Sequence, residues 1–142
     1  MILPTTSLQF FLNLAKIQAI MARRFDAGLG GLSLNEFIIL LQLNQAEDNK
    51  LRRVDLADKI GLTSSGVTRL LIPMEKIGLL KREMNDHDAR VRYVKLAPGG
   101  KRKLEEALER AELLSQEIVS SAKITDLESI FNSLLELSKS IR

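Results

Sequence analysis

RVDLADKIGLTSSGVTRLLIPMEKI, residues 53–77, is the stretch whose reading decides the fold. It divides into two short helices joined by a tight turn. The first spans Arg53 to Ile60. Gly61 follows where a helix C-terminus favours a left-handed residue, because without a Cβ it takes φ > 0 unstrained. Thr63 then offers a hydroxyl to cap the amides of the next turn. The second helix carries Val67, Leu70, Leu71 and Met74 at helical spacing, an apolar face. Its other side presents Ser64, Ser65, Thr68 and Arg69 near the N-terminus, the end that a recognition helix pushes into a DNA major groove. An ordinary helical hairpin with a wet polar face has the same pattern, so the flanking sequence must decide between the two.

Charge supports the first reading. The net charge is only +3, but residues 51–103 hold 13 Lys/Arg against 6 Asp/Glu, while the rest of the chain holds 8 against 12. Positive charge is concentrated where phosphate would meet it. The chain has 142 residues, 45% of them hydrophobic, and no cysteine. That length suits one domain with a core of its own. Disulfides, thiolate redox sensing and cysteine metal sites are excluded. No apolar run approaches the roughly 18 residues that span a bilayer. The N-terminus also lacks the basic start of a secretory signal. A cytoplasmic protein with no membrane partner is expected.

Working outward, a first helix is predicted from about Ser7 to Phe25. It has two apolar stripes, one through Leu8, Leu12, Ala15 and Ala19, the other through Phe10, Leu14, Ile17 and Met21. A helix apolar on more than one side must be covered by more than one neighbour. Gly28, Gly30 and Gly31 end it in a loop. Ser33-Leu34-Asn35-Glu36 is a capping box opening a helix to about Leu43, and Asn44–Lys50 reads as a loop before a strand edge at Leu51 and Arg52. Pro73 either bends the second helix of the pair or ends it early; continuation of the apolar pattern through Met74, Ile77 and Leu80 favours a bend. Leu79–Glu83 and Arg92–Leu96 flank a polar tip, Asn85–Arg90, as a β-hairpin. Pro98 opens a long helix to about Ala122. It begins with Lys101, Arg102 and Lys103 against the helix dipole, a cost that nearby phosphates would offset. Thr125-Asp126-Leu127-Glu128 is a second capping box before a last helix with a broad apolar face.

The fold class is therefore mainly α (α+β): a winged helix-turn-helix core, residues 33–97, flanked by helices 1–32 and 98–142 within a single domain. The residues Leu56-Ala57-Asp58-Lys59-Ile60-Gly61-Leu62, Val67-Thr68-Arg69-Leu70, Met74–Leu80, Asp88-Ala89-Arg90 and Val94-Lys95-Leu96 closely resemble the multiple-antibiotic-resistance regulator (MarR) family of bacterial transcription factors. The Asp-x-Arg of the hairpin is the more specific part of that match. The resemblance implies an obligate homodimer locked by its N- and C-terminal helices, and a sequence-specific regulator, usually a repressor, on a pseudo-palindromic operator in double-stranded DNA. It also implies that Arg90 enters the flanking minor groove, held by Asp88. Two departures stand out: Ala97 replaces a capping Thr, and Pro73 stands where a good helix former is usual.

The candidate DNA-binding residues are Arg53, Thr63, Ser64, Ser65, Thr68, Arg69, Lys81, Arg90 and Arg92, with Asp88 positioning the wing. Arg69 is assigned to a phosphate or base, against an ion pair with Glu75 or Asp58. Ser64 and Ser65 serve equally as first-turn residues. Arg53, Lys81, Arg92 and Lys95 contribute a diffuse field, and Thr68 is expected to influence preference at one base pair. His87, the one histidine, offers too few ligands for a metal site. No nucleophile triad or phosphate-cradling glycine loop is visible, so neither an enzyme nor a cofactor is expected. The resemblance admits a small aromatic effector, for which Phe10, Phe11, Phe25 and Phe37 are available, without identifying pocket residues. A winged-helix module that binds protein would instead need an apolar or acidic recognition surface, which Ser64, Ser65, Thr68 and Arg69 do not supply.

Overall fold

The computed structural model describes residues 1–120 and 124–141. Its elements are α1 (Thr6–Gly28), α2 (Leu34–Gln45), a 3-10 turn (Glu47–Asn49), β1 (Lys50–Arg52), α3 (Arg53–Ile60), α4 (Ser64–Lys76), β2 (Leu80–Met84), β3 (Arg92–Leu96), α5 (Pro98–Ile118) and α6 (Ile124–Ile141). The helix-turn-helix boundaries match the sequence reading. Elsewhere α1 runs three residues further than expected, and α2 takes up Asn44 and Gln45. The expected end of α5 at Ala122 lies outside the described residues. Thr125 is not an N-cap, because α6 already begins at Ile124; Asp126 remains in the first turn, where a carboxylate suits the helix dipole. No helix among the described residues is long and apolar enough to cross a membrane.

Two compact units are distinguished, Met1–Ala111 and Glu112 onward. In the first, Leu40, Leu43, Leu56, Val67, Met74, Leu80, Leu96 and Leu104 form one buried core. Truncating such a residue to Ala costs about 2–5 kcal/mol. The three strands form an antiparallel sheet in the order β1-β3-β2, with Leu51 opposite Val94 and Leu80 opposite Leu96.

Local chemistry sets the helix ends. The Ser33 hydroxyl accepts from the Glu36 amide at 3.1 Å, and the Glu36 carboxylate accepts from the Ser33 amide at 2.8 Å, the capping box that the sequence predicts. α3 and α4 end in the same way. Gly61 has φ 73° and Gly78 φ 82°. The Leu62 amide donates to Ala57 O at 3.1 Å and the Leu79 amide to Met74 O at 3.0 Å, closing the last carbonyls of each helix.

α4 runs unbroken through Pro73, so the early ending does not occur. Pro73 is exposed between buried Leu71 and Met74, on the side where solvent can hydrate the Arg69 carbonyl that proline leaves without a donor. α1 has no buried residue along its 23 positions. Ile17 is 61% exposed, and Leu8, Phe10, Phe11, Leu12, Ile20 and Met21 are exposed too. Within the second unit α6 exposes Leu127, Ile130, Phe131, Leu135 and Ile141.

Candidate nucleic-acid interface

α4 buries Val67, Leu71 and Met74, which lie on one face, and so turns Ser64, Ser65 and Arg69 outward. The Thr63 hydroxyl is the N-cap, accepting from the Gly66 amide at 3.1 Å, with Ser65 Oγ 3.3 Å away. Thr63 therefore starts the helix and Ser65 supports it, leaving Ser64 free-standing on the first turn. Arg69 enters no hydrogen bond or ion pair with the described residues. The expected competitor Glu75 is taken by Arg82, Nε to Oε2 at 3.0 Å.

The wing projects beside this helix. At its tip the Asn85 Oδ1 accepts from the amides of His87 at 2.8 Å and Asp88 at 3.1 Å, a side-chain turn that shapes the loop. Asp88 then accepts from the Arg90 amide at 3.0 Å, from Arg90 Nε at 3.1 Å and from Nη2 at 3.3 Å. The guanidinium stays 91% exposed. The bonds from the Arg90 side chain, and then from its amide, hold the Asp88 carboxyl below the usual range. Between α4 and the hairpin runs a groove lined by Arg53, Thr68, Ile72, Glu75, Arg82 and Arg92, among others. Arg53 at the start of α3 reaches across it, donating from Nη1 to the Thr68 hydroxyl at 2.9 Å.

A family model described as MarR family matches residues 32–91, the segment from the capping box to the wing tip. The HTH-type transcriptional repressor YetL of Bacillus subtilis (strain 168) is 32% identical over 104 residues. The chain belongs to the MarR family. The match to YetL covers 72% of this chain and 62% of YetL, so the chain spans less than two thirds of that relative's length. Among solved structures, the transcriptional regulator BldR from Sulfolobus solfataricus superposes with a TM-score of 0.79 at 28% identity, covering 92% of this chain and 94% of BldR. Sco3205, a MarR family transcriptional regulator from Streptomyces coelicolor solved in complex with DNA, has a TM-score of 0.79 at 17% identity, over 98% of this chain and 90% of that one.

Several cations of this MarR chain are less available than their count suggests. Arg52 is bound by Asp55, Nε to Oδ2 at 2.8 Å. Lys95, expected to add diffuse field, lies 3.6 Å from Glu83 Oε1, and Lys50 lies 2.9 Å from Glu83 Oε2. Register explains this cluster: Lys50 and Lys81 both face Lys95 across the sheet, and like charges so placed repel. Glu83, two residues along from Lys81, offsets the repulsion. The Lys50 bond holds the Glu83 carboxyl below its ordinary range, and Glu83 raises Lys50 in turn. Lys50 also lies 4.7 Å from the Tyr93 ring centroid. Lys103, expected to await phosphate, instead donates to the Gly30 carbonyl at 2.7 Å, closing the loop after α1. Lys81 and Arg92, also expected to add diffuse field, are exposed.

Sequence reasoning missed Asn85 and Glu83. Asn85 carries a local signal, an Asx residue at a hairpin tip. Glu83 carries none, because its partner Lys50 is 33 residues away and only the strand register joins them. His87 is exposed, and no group of three metal-ligating side chains occurs among the described residues. The four phenylalanines do not converge within the chain. Phe10 and Phe11 make an edge-to-face pair at 5.4 Å, Phe25 sits about 21 Å further along α1 from Phe11 at 1.5 Å per residue, and Phe37 is in the core.

Proposed function

We propose that this MarR-family chain is a sequence-specific, DNA-binding transcriptional repressor that works as a homodimer on a pseudo-palindromic operator. Arg69 carries the reading: its guanidinium stands on the exposed face of α4 without a partner among the described residues, one turn from Ser65. An arginine left without an internal carboxylate keeps its whole charge for phosphate or for the O6/N7 edge of guanine. Arg90, braced by Asp88 at the wing tip, is the second prong and is suited to a narrow minor groove. Exposed apolar side chains along α1 and α6 support the dimer, since each helix has more apolar surface than its own unit covers. The name of YetL supports repression, and the DNA complex of Sco3205 supports the ligand. Relief by a small aromatic molecule remains part of the reading; with the phenylalanines dispersed, its site would need both subunits.

The test is selection of bound genomic fragments followed by gel shift with titrated salt. One palindromic site should emerge, with affinity falling steeply as salt rises. Arg69→Ala should weaken binding by about 1–3 kcal/mol, with the fold unchanged. Equal affinity for every fragment, or indifference to both Arg69→Ala and Arg90→Ala, would sink the proposal and favour a protein-binding module.

A further inference from the structure

Thr68 sits half-buried on the polar side of α4, in the groove beside the hairpin, a side from which a recognition helix ordinarily reads bases. Its hydrogen bonds say otherwise. A hydroxyl has one proton and two acceptor positions. The Thr68 proton goes to the Ser64 carbonyl at 2.9 Å, the back-bond that threonine makes readily inside a helix. One acceptor position takes Arg53 Nη1 at 2.9 Å. So arranged, Thr68 has no proton left for a phosphate or a base acceptor.

The arginine at the other end is distinct from its neighbours. Arg52, Arg82 and Arg90 are each held by a carboxylate, from Asp55, Glu75 and Asp88. Arg53 is held by a neutral hydroxyl, and no carboxylate among the described residues pairs with it. It also stands at the N-terminus of α3, where the helix dipole repels a cation. Among the described residues, the bond to Thr68 is what draws it across to α4. Four further N–H donors of the guanidinium remain for an anion.

We propose that Thr68 is a positioning residue: it holds Arg53 across the two helices of the helix-turn-helix to grip a backbone phosphate, and does not itself read a base. The proposal rests on the DNA-binding reading above. Phosphate contacts fix affinity and register and carry no sequence information, so the pair governs how tightly the protein binds, not which sequence it prefers.

The test uses the full chain and its selected operator, with single-base variants and an unrelated duplex as competitors. Thr68→Val, which keeps shape and loses the hydroxyl, should lower affinity for all duplexes by one common factor of about 2–10, the cost of ordering a freed arginine. Thr68→Ser should restore affinity. Arg53→Gln should reduce the slope of log affinity against log salt by about 0.9, one phosphate. Adding Thr68→Val to Arg53→Gln should then change nothing. In the free protein, 15N relaxation at Arg53 Nε should report greater mobility in Thr68→Val than in wild type. A change of base preference in Thr68→Val, or additive effects in the double variant, would overturn the tether and leave the DNA-binding reading intact. Wild-type protein that selects no DNA at all would overturn both.

Discussion

Asp88 grips Arg90 with both carboxylate oxygens, two residues apart on the wing, and leaves the guanidinium 91% exposed. Two effects oppose each other here. The carboxylate orders Arg90 in advance, and it also places a negative charge close to any phosphate. Ordering a long side chain is worth about 2- to 10-fold in affinity, whereas an exposed charge is screened by salt. Asp88→Ala is therefore expected to weaken operator binding at physiological salt, with little loss of stability. Tighter binding by gel shift would show that Asp88 merely cancels Arg90.

The apolar side of α1 gives a second prediction. Ile17 is 61% exposed, so in a solvated helix Ile17→Glu would be nearly silent. If a second copy covers that side, the carboxylate would be buried without a partner, at a cost of several kcal/mol. Ile17→Glu should convert a dimer to monomer in sedimentation velocity and lower the thermal midpoint. An unchanged mass would place the dimer contact elsewhere.

Gly100 lies in the first turn of α5, where a Cβ would collide with the Leu79 carbonyl oxygen and crowd Leu96 Cδ1 at 2.9 Å. Helix propensity alone favours alanine there by about 1 kcal/mol. Overpacking against a backbone carbonyl costs about 1–3 kcal/mol or more, so the clash wins. Gly100→Ala should lower the urea midpoint. A more stable variant would mean that α5 can shift outward freely.

Glu83 sets a pH dependence. Its carboxyl is depressed in the folded chain, chiefly by the Lys50 hydrogen bond. Such a group contributes fully above its unfolded pKa, about 4.3 for Glu, and the contribution fades as pH falls through the lower folded value. Lys50 is raised, so its share is complete below its unfolded value and fades only as pH climbs through the folded one. Glu83→Gln should be less stable than wild type at pH 7, with the gap closing towards pH 3 in urea titrations. Parallel stability curves would remove Glu83 from the account.

Much of this was readable in advance where the determinants are local. Gly61 and Thr63 fix the turn between α3 and α4 within a few residues, and Ser33 with Glu36 fixes the start of α2. Arg69, Arg90 and Asp88 were legible as candidates because their neighbours in sequence are also their neighbours in space. The uses of Lys95, Lys103 and Thr68 were not. Each depends on a partner brought up by the fold: Glu83 across the hairpin, Gly30 from 73 residues away, and Arg53 from 15 residues away. Charge counts treat every cation as equally available, and register decides otherwise. The N-cap reading at Thr125 failed because α6 already runs from Ile124, two residues ahead of the start it implies, within the usual variation of helix ends.

The Leu79 carbonyl has a broader consequence. It receives the Ala97 amide at 3.1 Å and lies hard against Gly100, while its own residue closes the end of α4 through Met74. The last turn of α4 and the first turn of α5 thus meet at one residue as a welded joint, with no slack between them. On the proposed DNA-binding reading, a small rotation at the root of α5 would tilt α4 with it, so a signal arriving there would be mechanical and would not need to melt any structure.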